Sequence, residues 1–248
     1  MRTNGALARP WPPGLPSGYN AWELNAGRGP ATRCTPLSEP NAVRQDIDEV
    51  LQDWPYKPGT ISVRRVKADD GREVLQMRID LGLLQMESVH RPDGVRPHGA
   101  TTYLDYLQSR YGQRPDFRLS RRHCLEMDRE FLQYYHRRIC WLALREFSRA
   151  VQDADHTLAL MDFAAAHAPN DDWTQSHEQY RPFVLFHRTQ AATLAALEQG
   201  GPDQALQSLN EGLSRIRGCS DDTETTDSPE YEEQLAQLDR LRQWLRDE

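Results

Sequence analysis

The fold class predicted from the sequence is α+β, mostly α: antiparallel helical hairpins joined to a small N-terminal helix plus β-hairpin module. Three observations predict it. Residues 129–169 (REFLQYYHRRICWLALREFSRAVQDADHTLALMDFAAAHAP) read as two helices folded back on each other, with a break at 145–148. A weaker copy of that pattern follows at 183–217. Between residues 61 and 81 the apolar period changes to two, the spacing of a half-buried strand pair.

The totals bound the possibilities. With 248 residues the chain can form one large domain or two small ones around a real core. Hydrophobic residues make up 38% and the mean hydropathy is −0.78, low for a compact enzyme and in keeping with a polar tail or an exposed helical array. No apolar run approaches the roughly 18–20 residues that span a membrane. The first residues lack the charged, apolar, small-residue pattern of a secretory signal. Cys34, Cys124, Cys140 and Cys219 are scattered and form no CxxC pair, which reads as reduced thiols in the cytoplasm. The net charge of −7 argues against a dedicated nucleic-acid binder. Lys57 and Lys67 are the only lysines among 30 basic residues, so 28 are arginines. Arginine suits phosphate and carboxylate recognition, although GC-rich coding accounts for the same skew with no function.

Taken in order, residues 1–40 carry seven prolines and five glycines and read as a disordered Pro/Gly-rich tail, with Trp11, Tyr19 and Trp22 as its large aromatics. Residues 41–112 form the helix, β-hairpin, helix module. Asn41 caps a short helix through Val43, Ile47, Val50 and Leu51, which stops at Trp54–Pro55. A three-residue loop, Asp69-Asp70-Gly71, sets Val63 opposite Met77 and Ile61 opposite Ile79 and gives glycine the left-handed position. The outer face then carries Arg64, Gln76, Arg78 and Asp80, a solvated surface. LGLLQME prolongs the apolar character, RPDGVRP turns the chain, and Thr101 or Thr102 caps a helix that Gly112 ends.

Residues 113–217 form the helical domain. Helices are expected over about 121–145, 148–167, 182–199 and 203–217, with a polar loop at 170–177 and a break at Gly200-Gly201-Pro202. Residues 218–228 (GCSDDTETTDS) read as an acidic linker, and 229–248 as a C-terminal helix with Leu235, Leu238, Leu241 and Leu245.

The two hairpins align. Trp141 precedes Arg145-x-Phe147-x-x-Ala150, and Ala196 precedes Gly200-x-Pro202-x-x-Ala205. This resembles the tetratricopeptide repeat (TPR), in which a turn and then a small alanine let paired helices approach closely. Arg145 stands where a glycine-like turn residue is usual, and the repeat interval is 55 residues rather than about 34. A second resemblance rests on DWPYKPGTISVRRVKADDGREVLQMRIDLGLLQME, RPDGVRP, DADHTLALMDF and HEQYRPFVLFHRTQAA. These segments are similar to an uncharacterised bacterial family that joins such a hairpin module to TPR-like helices. Some of its members end in a UvrB/UvrC-type motif, a helical hairpin for protein contacts, which this sequence lacks. The resemblance covers about residues 43–246 and implies a fold but no transferable activity.

Catalytic and metal patterns are thin. His136 and Cys140 share a helix face at zinc-ligand spacing, but adjacent His123 and Cys124 point about 100° apart, so four ligands do not converge. His177-Glu178 is no HExxH, because position 181 is arginine. Asp153 and His156 lie inside a helix, where Asp is unfavourable, and predict a cross-helix partner, Arg137 or Arg138. Residues 110–138 hold eight arginines against four acids, suited to phosphate, to an acidic peptide, or to the chain's own acidic C-terminal part.

The function expected from the sequence is that of a non-enzymatic, cytoplasmic protein–protein interaction scaffold without cofactor. Its TPR-like groove would bind a protein segment through Arg137, Arg138, Trp141, His177, Tyr180 and Arg181. The alternative is a nucleic-acid-associated protein using the Arg-rich segment 110–138. Either the hairpin is held by a polar cross-helix network or it exposes that network in a groove.

Overall fold

Alternating apolar and polar side chains build a three-stranded antiparallel sheet, β1 (Val63–Lys67), β2 (Glu73–Ile79) and β3 (Gly82–Glu87), in the order β1-β2-β3. Val63 faces Met77, the register that the three-residue loop demands. Gly71 in that loop has φ +86°, a region costly for any residue with a Cβ. Ile61 precedes β1 and so is not itself a ladder residue. The third strand goes beyond the expected hairpin: Ile79 and Gly82 are partners across Asp80 and Leu81.

This computed structural model describes residues 46–220 and 229–247. The expected N-terminal tail, the Asn41 cap and linker residues 221–228 lie outside the described residues. The short helix α1 (Asp48–Leu51) precedes the sheet. One sheet face places Leu75, Met77 and Met86 in a core shared with Cys140 and Trp141. The other face is not the solvated surface that its polar residues predict. Gln76 is buried there, bonded to Arg64 at 2.9 Å and to Gln85 at 2.9 Å. The chain around Trp54 lies along it, with Arg64 4.1 Å from the Trp54 ring and Arg78 Nε donating to the Trp54 carbonyl at 2.9 Å. Burial of a polar side chain is tolerated here because it is hydrogen-bonded.

After β3 the chain makes two Arg-Pro-x-Gly turns, closed by Gly94 N–H to the Arg91 carbonyl at 2.9 Å and Gly99 N–H to the Arg96 carbonyl at 3.2 Å. Helix α2 (Tyr103–Tyr111) starts in a capping box of Thr102 and Asp105. Five more helices were legible as apolar stripes and are present: α3 (Arg121–Ala143), α4 (Phe147–His167), α6 (Arg181–Gly200), α7 (Pro202–Ser220) and α8 (Pro229–Asp247). A further one, α5 (Asp171–Glu178), occupies the segment expected as a loop, where Asn170 accepts from the Trp173 N–H at 2.9 Å. Residues 218–220 continue α7 rather than opening the linker.

The helices pack in sequence. α3 lies on α4, α4 on α6, α6 on α7, and α8 on both α6 and α7. Arg145 turns α3 into α4 with φ +61°, left-handed for a residue with a side chain. The α6–α7 approach depends on Gly212, where a Cβ would come within 2.2 Å of Thr189 Cγ2. α2 packs on α3 and α4 through a second core of Leu104, Leu107, Met127, Leu160 and Phe163. The expected division at residue 112 is therefore not a packing boundary. Among the described residues no helix is long and apolar enough to cross a membrane.

Candidate functional site

The six residues expected to line a groove do not share one surface. Arg137 is 4% exposed, Arg138 1% and Trp141 1%, so these three cannot meet a partner without unfolding. Arg137 makes the expected cross-helix pair with Asp153, Nη2 to Oδ1 at 2.7 Å and Nε to Oδ2 at 2.9 Å. It also donates to the carbonyls of Glu87 at 3.1 Å and His90 at 2.6 Å. Arg138 bonds Thr157 Oγ1 at 3.0 Å and His187 Nδ1 at 3.3 Å, tying α3 to α4 and α6. Trp141 is covered by the Arg149 guanidinium at 4.6 Å. His177 stands 2.9 Å from Asp128, and Arg181 pairs with Glu178 and with Asp162 at 2.9 Å. Tyr180 alone is widely exposed, at 56%.

His156 takes a different partner from the neighbouring Asp153. Its Nε2 lies 2.9 Å from Glu130 Oε1, and its ring stacks on Tyr134 at 3.7 Å. Glu130 is fully buried at the centre of a network that the sequence reading missed. Its carboxylate accepts the N–H groups of Tyr103 at 2.7 Å and Leu104 at 3.1 Å, and lies 3.2 Å from Arg91. A carboxylate at a helix N-terminus neutralises orphan amides and the dipole there. Together these pairs fasten the turns after β3, α2, α3 and α4 to one another. They use polar groups in structure and expose none of them in a groove.

The zinc-like residues are absorbed the same way. His123 closes the α3 capping box with Ser120, its Nδ1 accepting from the Ser120 N–H at 3.2 Å. Burial pushes the Cys140 thiol up to about 12 and lowers His136.

A different surface emerges at the corner where α2 hands over to α3. Tyr111 and Phe117 stack at 3.8 Å with their planes 4° apart, and His123 sits 5.7 Å and 5.4 Å from those rings. That stack folds residues 110–123 into a tight bend. His98 extends the aromatic set by stacking on Tyr106 at 4.1 Å. The segments that carry these rings also carry Arg96, Arg110, Arg114, Arg118, Arg121 and Arg122, all exposed. Residues 96–123 carry these six arginines against Asp105 and Asp116, in a chain whose net charge is −7.

Elsewhere Arg64, Arg78, Arg215 and Arg217 hold no carboxylate among the described residues, whereas other arginines are paired. Arg65, Arg137, Arg149, Arg181, Arg188 and Arg242 each hold a carboxylate. Among the described residues, Arg96, Arg110, Arg114, Arg118, Arg121 and Arg122 have none; Arg118 bonds only the carbonyls of Pro115 and Phe117, at 2.9 Å each. The first turn of α3 carries Arg121 and Arg122 and no acid, which sets positive charge against the helix dipole. Burial, then the charges of Arg122 and His98, depress the His123 pKa. The corner can therefore attract and hydrogen-bond an anionic group.

No protein-family description, no curated protein and no solved structure matches this chain.

Proposed function

We propose that the chain is a non-enzymatic interaction protein that binds an anionic partner at the α2–α3 corner. The observation that carries this reading is the set of six exposed arginines against two acids in residues 96–123, none of the six holding a carboxylate among the described residues. Such a positive corner concentrates field at one place and steers an oppositely charged partner there.

The helical array then serves as a rigid platform. The TPR-like interpretation belongs to this proposal: α3, α4, α6 and α7 pack in repeat order, and Ala150 and Ala205 are both fully buried at helix crossings. So does kinship with the bacterial hairpin-plus-helix family, supported by the fold of the quoted segments into one sheet and its helices. A cytoplasmic location is supported by Cys124, Cys140 and Cys219, which form no disulfides.

A second reading, binding of a nucleic-acid strand, is favoured by Tyr106, Tyr111 and Phe117 lying in the same segment as the exposed arginines, since arginine and aromatic rings together serve phosphate and base contacts.

Retention on immobilised heparin near neutral pH tests the main reading. A protein of pI about 5.6 is repelled by heparin unless a local patch holds it. Wild type should be retained and released by salt. The variant Arg110→Gln/Arg114→Gln/Arg118→Gln/Arg121→Gln/Arg122→Gln should flow through with unchanged circular dichroism. Flow-through of the wild type would refute the proposal.

A further inference from the structure

The α3 surface does not end at its arginines, and its continuation identifies the chemistry of the partner. Leu125 is 60% exposed and Leu132 56%, unusual for leucines in the middle of a 23-residue helix that is otherwise packed on its neighbours. They stand seven residues apart, two turns of one face, with Arg129 between them and Arg121 and Arg122 one turn before. Scattered exposed leucines are ordinary. Two on one stripe, alternating with arginines, form a ridge in helical register.

The acids beside the ridge are already engaged. Glu126 lies 3.2 Å from Arg91, Asp128 2.9 Å from His177, and Asp93 3.4 Å from Arg129. The stripe thus carries two exposed leucines, with the Asp128–His177 and Arg129–Asp93 pairs between them, and is positive at its head, continuous with the basic corner.

Resting on the proposed anion-binding role, the geometry points to an acidic amphipathic helix of another protein as the partner, with leucine-type side chains packed on Leu125 and Leu132 and carboxylates on Arg121 and Arg122. Charge complementarity selects this occupant. A second copy of the same face would offer Arg121 and Arg122 only acids that are already engaged, Glu126 and Asp128. A nucleic-acid strand would satisfy the arginines and leave both leucines in water. Helix-in-groove recognition uses this spacing of apolar anchors, and paired guanidinium–carboxylate contacts fix its orientation.

The test uses the full chain and three fluorescent probes: a synthetic acidic peptide with leucine at every third or fourth position, its scrambled isomer of identical composition, and oligo(dT). Wild type should bind the amphipathic peptide about tenfold more tightly than the isomer, the contribution of a few buried methylene groups. Leu125→Asp/Leu132→Asp should erase that preference without changing thermal unfolding, because both side chains are exposed. Leu125→Met/Leu132→Met should retain it. Equal affinity for peptide and isomer, or tighter binding of oligo(dT), would overturn this inference and leave anion binding intact. Absence of binding to all three probes would overturn both.

Discussion

Arg137 and Asp153 meet across α3 and α4 as a bidentate pair, with both side chains 5% exposed. The pair closes the helical hairpin from inside and simultaneously holds the Glu87 and His90 carbonyls at the end of β3. Removing one partner leaves the other charge buried and alone. Asp153→Ala should therefore destabilise by about 3–5 kcal/mol, whereas the double change Arg137→Met/Asp153→Leu should cost less than the single one. Urea unfolding of both variants measures this, and a double change as costly as Asp153→Ala or costlier would contradict it.

Glu130 caps α2 from a distance of 26 residues in sequence. Glu130→Ala should lower stability by about 2–4 kcal/mol, since the buried Arg91 loses a carboxylate and two helix amides lose their acceptor. Hydrogen exchange should quicken first at Tyr103 and Leu104. Unchanged protection of those two amides would remove the assigned role.

His187 is fully buried, and Arg138 donates to its Nδ1, which places the ring proton on Nε2. Burial first, then the neighbouring guanidinium, holds its pKa well below the ordinary histidine value. The unfolded chain takes up a proton near pH 6.5 that the folded chain refuses. Stability is complete above that pH and falls below it, by about 1.4 kcal/mol per pH unit for one proton. His136, lowered by burial, acts in the same direction. Unfolding free energies measured from about pH 7.5 to 5.5 should show the decline, and His136→Gln should reduce its slope.

Arg145 occupies the left-handed region at φ +61° in the turn between α3 and α4. Its Glu198 contact at 3.7 Å is exposed on both sides and adds little. Arg145→Gly should stabilise the protein by about 1 kcal/mol, read as a raised melting temperature. A lowered one would show that the arginine has a structural use that outweighs its backbone conformation.

Helices α3, α4, α6, α7 and α8 were readable because each must bury a stripe, and a stripe leaves a period. The β1–β2 register was readable because only one loop length matched both the apolar faces and Gly71. β3 was hidden: Leu83-Leu84 interrupts alternation, and the adjoining Asp80-Leu81 has no glycine to mark a turn. α5 was hidden because Trp173, its one large apolar residue, gives no stripe. The cross-helix partner of Asp153 was foreseeable from the cost of a lone carboxylate in a helix, yet the same arginine was also expected on a surface. α3 is packed on several sides, so polarity could not say which way Arg137 and Arg138 point. Five of the six exposed arginines lie within the Arg-rich segment 110–138; Arg96 lies outside it. What sequence could not supply was the absence of nearby carboxylates, which depends on residues remote in the chain, such as Asp93 and Glu146, meeting other guanidiniums instead.

Arginine-selective modification by phenylglyoxal, mapped by mass spectrometry on the folded full chain with and without heparin, tests the central claim most directly. The unpaired Arg110, Arg114, Arg118, Arg121 and Arg122 should react fastest and be protected together by heparin, while buried Arg91, Arg137 and Arg138 stay unmodified in both states. Uniform reactivity across exposed arginines, or heparin protection spread over the whole surface, would contradict the assignment of this corner as the binding site.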